Sequence, residues 1–380
     1  MRRICLCMIV KDEAAVIERC LSSVRGLIDS WVICDTGSSD GTQALIEKAL
    51  EGVPGALHER PWRNFGENRT EALRLASGRG DYLLLIDADM TVTFEPEGLK
   101  RLTADAYMLR HADELEYRIK RLVRSDRDWR YVGATHEYLT TDGPETVENL
   151  DAVLIHHHAD GGTRAEKFER DLRLLSEDLE GDPHNRRTVF YLAQTYRDLG
   201  RLDDAIRLYE RRGEMGGWDE EVFYALLQVG VLRAEQGDWP GGMAGLVAAW
   251  EYRPKRLEPL YELASRLRLR GQHETAHLFA ERGLGFSQPD DVLFVSPWVY
   301  RWGLWFEYSI ASYWVGETDE ALAACDRLLA MSELPEVYRQ HTLANRRYCL
   351  ERLSVTGPAA PSKTEPAHTP RHEALGRGSR

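Results

Sequence analysis

Tyr82-Leu83-Leu84-Leu85-Ile86-Asp87-Ala88-Asp89 is the stretch on which the fold turns. Five apolar residues without alternation, closed by two carboxylates, predict a strand buried on both faces, and such strands belong to parallel sheets covered by helices. In open sheets of that kind ligands sit beyond the carboxyl ends of the strands, where Asp87 and Asp89 fall. Upstream, Ile4–Val10 is a second buried strand. Asp12 is placed to cap a helix carrying Val16, Ile17, Cys20, Leu21 and Val24 at helical spacing. Residues 31–34 form a third strand, which leaves through a turn-rich loop over 35–41 into a helix over 42–50. Residues 68–76 read as helix. Weaker strands are expected near 106–109, 117–123 and 152–156. This alternation over the first 162 residues is the pattern of an α/β layer domain.

From residue 163 the texture changes. Thr163 and Glu166 form a capping box at the head of a long helical region. Beyond it, helices alternate with short glycine turns, and Gly200, Gly237, Gly271 and Gly316 punctuate four segments of similar phase. Their spacings approach the ~34-residue tetratricopeptide period, in which stacked helix pairs bury one another's faces. The second segment has Gly242 where alanine is expected, with Pro240 just before it; an irregular helical bundle is the alternative. The repeat domain is assigned to 163–355. Residues 356–380 hold four prolines and almost no large apolar residue, the composition of a disordered tail.

The 380 residues include 62 acidic and 49 basic side chains, a net charge of −13. That balance disfavours a nucleic-acid polymer or an anionic lipid surface as partner. No apolar run reaches the ~18 residues of a spanning helix, and the apolar N-terminal run stops at Lys11-Asp12-Glu13 without a signal-peptide cleavage site. The six cysteines form no C-x-x-C pair and read as buried free thiols of a reducing compartment. A cytoplasmic protein is the expectation.

Three features of the first half carry chemistry. The first is Asp35-Thr36-Gly37-Ser38-Ser39-Asp40-Gly41-Thr42, between a strand and a helix. An aspartate there can accept hydrogen bonds from a base or ribose, although such loops are also the ordinary way to leave a strand. The second is the Asp87/Asp89 pair. Mg²⁺ and Mn²⁺ commonly use one or two carboxylates together with a substrate's phosphates. The third is His156-His157-His158, a source of imidazole ligands; alternation along a strand lets at most two of them share a face.

Met8-Ile9-Val10-Lys11-Asp12-Glu13, Cys20-Leu21-Ser22-Ser23-Val24, the 35–42 loop and Asp87-Ala88-Asp89 together resemble family 2 glycosyltransferases. Trp62-Arg63-Asn64-Phe65-Gly66-Glu67-Asn68-Arg69 resembles the segment found in the subgroup near lipopolysaccharide-core glucosyltransferases. A catalytic domain of this kind before tetratricopeptide-like helices is similar to the group that includes sublancin-type peptide S-glycosyltransferases. The resemblance implies a GT-A (Rossmann-like) domain, a nucleotide-sugar donor (a UDP-sugar in the first instance) and inversion at the anomeric carbon. It places Val10, Asp12, Asp35, Gly37, Asp40, Arg69, Asp87 and Ala88 around the nucleotide sugar, with Asp35 at the base and Arg69 supporting that pocket. It gives Asp89, Asp87 and His157 to a divalent metal, Mn²⁺ or Mg²⁺. His157 is preferred over its neighbours because similar sequences show Ile-x-His before Asp-Gly-Gly, here Asp160-Gly161-Gly162. Met90 departs from the acidic residue common in the related subgroup.

A sugar diphosphate leaves as an anion, which a bound cation would neutralise, while the acceptor must lose a proton to a general base. Glu137, in Ala134-Thr135-His136-Glu137-Tyr138, sits where family 2 enzymes carry that carboxylate, with His136 the second choice. The acceptor is expected to be a peptide, protein or saccharide, and the repeat domain is suited to holding a peptide or to forming a homodimer. The competing readings are a glycosyltransferase for lipid-linked or lipopolysaccharide acceptors, a nucleotidyltransferase and an inactive repeat scaffold. Trp298, Trp302 and Trp305 share one helical face and read as solenoid core. Arg266, Arg268 and Arg270 alternate with leucines and read as a solvated face.

Overall fold

The computed structural model describes residues 2–112, 117–161 and 167–355. The chain divides into two compact units, Met1–Gly200 and Arg201–Arg380. The Thr163/Glu166 capping box and the tail after Val355 lie outside the described residues.

In the first unit the strands are β1 (Ile4–Val10), β2 (Ser30–Asp35), β3 (Gly55–Glu59), β4 (Tyr82–Leu85), β5 (Met90–Phe94), β6 (Ala106–His111), β7 (Tyr117–Arg124), β8 (Trp129–Val132), β9 (Tyr138–Thr141) and β10 (Val147–His157). Eight of them form one mixed sheet in the order β3-β2-β1-β4-β7-β6-β10-β5, and β8 pairs with β9 separately. The strands β1 to β4 run parallel, and β7 is antiparallel to both of its neighbours. Helices α1 (Ile17–Val24), α2 (Thr42–Ala49) and α3 (Phe65–Ala76) connect the parallel strands.

Side chains alternate across β1, so its residues divide between two cores. Ile4, Leu6, Met8 and Val10 pack with Ile17, Leu21 and Ile46, whereas Cys5 and Cys7 pack with Cys34, Ala72, Leu73 and Ala76. All six cysteines of the chain are buried and free, as expected from their spacing.

One local expectation fails. Asp12 does not cap α1, which begins at Ile17 with Val16 as an N-cap that offers no side-chain hydrogen bond. Asp12 instead sits at φ +51°, and its Oδ1 accepts hydrogen bonds from the Ser39 N–H (2.8 Å) and hydroxyl (3.3 Å). The donors that Asp12 Oδ1 meets belong to the loop after β2. The first unit also contains α4 (Lys167–Gly181) and α5 (Arg186–Asp198).

The second unit is helical among its described residues: α6 (Leu202–Glu214), α7 (Asp219–Glu235), α8 (Trp239–Tyr252), α9 (Glu258–Leu269), α10 (His273–Gly283), α11 (Leu304–Val315), α12 (Thr318–Leu329) and α13 (Glu336–Ser354). Of the four punctuating glycines, Gly237, Gly271 and Gly316 in this unit and Gly200 at the end of the first all take positive φ, between 72° and 98°. That is the left-handed conformation in which helices end. Gly242 has a steric reason: a Cβ there would lie 2.7 Å from the Ala234 Cβ, so α7 and α8 meet backbone to backbone. Trp302 is buried, Trp298 and Trp305 pack partly buried against the helical cores, and a π-helical turn over Val299–Gly303 runs between them. The expected solvated face holds for Arg270, which is exposed and lies over the Trp239 ring, and fails for Arg268, which pairs with the buried Glu307 at 2.5 Å; Arg266 is half-buried and pairs with Glu262. A buried carboxylate on α11 demands a cation, and α9 supplies it.

Candidate active site

The ends of β2, β1 and β4 emerge on one edge of the sheet, because Val10 is in register with Asp35 and Cys7 with Leu85. Four of the expected residues organise the first loop on that edge. The Val10 carbonyl accepts hydrogen bonds from the Thr36 N–H (2.9 Å) and hydroxyl (3.1 Å). Asp35 is 1% exposed, and its Oδ1 accepts from the Gly37 and Ser38 N–H groups (2.9 Å each) and from Gln43 Nε2 (3.2 Å). Its Oδ2 is buried and has no hydrogen-bond partner within the protein. A buried carboxylate oxygen without a donor is costly, and a donor from a ligand or a water would relieve that cost. Gly37, at φ +109°, leaves open space where a side chain would stand. Asp40 works within the loop: Oδ1 accepts from the Thr42 N–H (3.0 Å) and Oδ2 from the Ala14 N–H (2.8 Å).

After β4 the two aspartates part company. Both oxygens of Asp87 face guanidinium groups, Oδ1 that of Arg69 at 2.6 Å and Oδ2 that of Arg121 at 3.2 Å. Burial works to raise the Asp87 pKa, but the two arginines outweigh it and hold the carboxyl well below the usual carboxylate range. Ala88 is buried between the pair. Asp89 turns the other way, and its Oδ2 lies 3.1 Å from His157 Nε2. The antiparallel pairing of β10 with β5 brings them together, for His157 is the register partner of Met90, the residue after Asp89. His156 and His158 point instead at the Thr93 and Thr91 hydroxyls, 3.5 and 2.9 Å away. Glu13 closes this side, since a Cβ on Gly161 would be 3.2 Å from Glu13 Oε2 and 3.5 Å from the Asp89 Cβ. Among the described residues no group of three or more His, Cys, Asp or Glu side chains has the arrangement of a complete metal cage. Asp89 and His157 offer one oxygen and one nitrogen donor, a pair suited to a divalent ion that takes its remaining ligands from a substrate.

Glu137 stands in the turn between β8 and β9. Its Oε1 is 2.8 Å from Arg69 Nε, so one guanidinium serves both Glu137 and Asp87. His136 at φ +50° faces elsewhere. Its ring stacks on Tyr191 of α5 with centroids 4.2 Å apart, and its Nε2 is 3.9 Å from the buried Asp171. Burial first, then Lys167 and Arg187, push its pKa down to about 4. A cleft of about 370 Å³ opens beside this turn, lined by Thr135, Tyr138, His184, Arg186, Arg187 and Tyr191 among others. Arg121 escaped the sequence reading. It lies in Tyr117-Arg118-Ile119-Lys120-Arg121-Leu122, where it directly follows Lys120 and is hard to tell from the solvated cations around it.

Residues 5–131 match the model of glycosyl transferase family 2. A TPR repeat-containing protein of Synechococcus elongatus is 28% identical over 306 residues, covering 74% of this chain and 72% of that one. An uncharacterized glycosyltransferase of Rickettsia felis is 29% identical over 129 residues, which are 34% of this chain and 42% of that protein. The SPbeta prophage-derived glycosyltransferase SunS of Bacillus subtilis is 22% identical over 216 residues, 52% of this chain and 50% of SunS. The chain thus spans half or less of these two glycosyltransferases.

Proposed function

From a family 2 glycosyltransferase domain joined to tetratricopeptide-like helices, we propose an inverting glycosyltransferase that takes its sugar from a nucleoside diphosphate sugar, UDP-linked, and gives it to a peptide or protein acceptor. The observation that carries this reading is the buried, partnerless Asp35 Oδ2 at the end of β2. An acceptor atom in that position suits an imino N–H of a base such as uracil, with the open turn at Gly37 leaving room for it. Asp87, already charge-paired, would face the ribose. Asp89 and His157 would hold a divalent cation, which when bound supplies charge neutralisation at the leaving diphosphate.

In the reaction so proposed, the acceptor's nucleophilic atom attacks the anomeric carbon from the face opposite the diphosphate. The bond from that carbon to the diphosphate oxygen breaks with its electron pair, and the nucleoside diphosphate departs. Glu137 takes the proton that the acceptor loses. His136 is the weaker candidate for that task, because its ring is committed to Tyr191.

A screen of nucleotide sugars with and without Mn²⁺, scored by released nucleoside diphosphate, tests the class, the donor and the cation together. Turnover is expected with a UDP-sugar and Mn²⁺; pyrophosphate as product would indicate a nucleotidyltransferase, and no turnover with any donor an inactive scaffold. Glu137→Gln should keep donor affinity and lower turnover by ~10²–10⁴-fold, the span of general-base catalysis. Full turnover in that variant removes Glu137 as the base.

A further inference from the structure

Four charged side chains from four separate parts of the first unit make a single chain of ion pairs: Arg121 of β7, Asp87 after β4, Arg69 of α3 and Glu137 of the β8–β9 turn. The successive distances are 3.2 Å (Arg121 Nη2 to Asp87 Oδ2), 2.6 Å (Asp87 Oδ1 to Arg69 Nη2) and 2.8 Å (Arg69 Nε to Glu137 Oε1). The Arg121, Arg69 and Glu137 side chains are 12%, 15% and 14% exposed, so these pairs are screened far less than surface ones. The signs alternate and sum to zero. Removing an inner member leaves like charges facing each other with nothing between.

We propose that Arg69 is a positioning residue for the base: its guanidinium, hydrogen-bonded to Asp87 and charge-paired with Glu137, places the carboxylate on the acceptor side from the carboxylate on the donor side, with Arg121 as the outer anchor. This rests on Glu137 being the base. The backbone around Arg69 is built for the task. The N-terminus of α3 is fastened to the segment that carries Glu137, since the Phe65 N–H donates to the Ala134 carbonyl at 3.0 Å. One turn along, the Tyr131 N–H donates to the Thr70 hydroxyl at 2.9 Å. Between these, Gly66 packs so closely that a Cβ would lie 2.2 Å from the Gly133 carbonyl oxygen. Arg69 therefore projects from a helix that cannot shift relative to the turn it steers. Arg69 donates a hydrogen bond to Asp87 through Nη2, while its Nε makes none among the described residues and Glu137 is held beside it by charge at 2.8 Å; a lysine ammonium is a single point charge and cannot stand against two carboxylates as the extended guanidinium does.

A residue that merely lined the nucleotide pocket would behave like Arg121, whose ion pair among the described residues is with Asp87 rather than Glu137. Full-length R69Q, R69K, R121Q, E137Q and R69Q/E137Q proteins, each checked for a cooperative melt, are compared for donor KM and kcat. The substrate is the nucleotide sugar turned over fastest in the donor screen, with Mn²⁺ and with water as acceptor. R121Q should act on KM more than on kcat. R69Q should lower kcat ~10–100-fold, part of what a mispositioned general base forfeits, and R69K should recover little of it. In the double variant kcat should fall no further than in E137Q alone. The proposal is overturned if R69Q matches R121Q in changing KM alone, or if the two losses multiply in the double variant. Full turnover by E137Q is a different failure, that of the base assignment. Should R69Q not fold, R69K carries the same comparison.

Discussion

Asp35 shows how one carboxylate can be half committed. Oδ1 is saturated by two backbone N–H groups and Gln43, which fixes the loop, while Oδ2 is buried without a donor. Asp35→Asn keeps one oxygen and turns the other into an N–H donor. The amide oxygen can stay with the loop, so the fold should persist and the new N–H should oppose the N–H of a bound base. A hydrogen bond to a charged group contributes ~1.5–3 kcal/mol, which sets the expected loss of nucleoside diphosphate affinity at roughly 10–100-fold. Titration calorimetry with UDP measures it directly. Unchanged affinity at unchanged Tm would mean that no nucleotide reads this oxygen. The sequence placed Asp35 at a strand end, but it carried no sign that only one of its oxygens is open, because that depends on where the backbone of 37 and 38 turns.

At the scale of elements, the β8–β9 turn is held from two directions. On one side α3 grips it through Ala134, and on the other α5 does so through the stack of His136 on Tyr191 and the donation of Arg187 to the His136 carbonyl at 2.9 Å. The stack has a pH signature. The His136 pKa is about 4 in the folded protein, against 6.5 for an unperturbed imidazole. A folded pKa below the unfolded one gives stability that is complete above pH 6.5 and is lost as the pH falls toward 4. With the ring 27% exposed, the loss by pH 5 is at most about 2 kcal/mol. Asp171, whose pKa burial raises, works in the opposite sense at the lower end of that window. His136→Asn, which tolerates φ +50°, should flatten the fall in Tm between pH 7 and pH 5; an equal fall in both proteins would show that the ring does not titrate in this way. The parallel strands β1, β2 and β4 were legible because they are short, continuous apolar runs. The short β8 and β9 were not, since Trp129-Arg130-Tyr131-Val132 and Tyr138-Leu139-Thr140-Thr141 have neither a run nor a clear alternation. The contact of Arg69 with Glu137 spans 68 residues (137 minus 69) and leaves no trace in local pattern.

Taken whole, the chain is two units with separate cores, the first a sheet with its flanking helices and the second a set of helices whose interior is not purely apolar. Arg212 with Glu221, Arg256 with Glu258 and Asp291, and Arg268 with Glu307 are all largely withdrawn from water. Sequence periodicity could not reveal this, because a buried arginine and a solvated one read alike until the partner helix is known. The energetic consequence is asymmetric. Removing one member of a buried pair strands the other charge and costs about 3–5 kcal/mol, whereas replacing both by apolar groups of similar volume is often neutral. Glu307→Gln should therefore lower the Tm of the second unit substantially, and the Arg268→Met, Glu307→Leu double variant should recover most of the loss. Scanning calorimetry of the three proteins checks this, and a double variant as unstable as the single one would show that shape, not charge, decides the site. Because Asp35, Asp87, Asp89 and Glu137 all belong to the first unit, UDP affinity measured well below the melt should be the same in all three proteins. An affinity that followed the substitutions in the second unit would mean that the nucleotide is not received by the first unit alone.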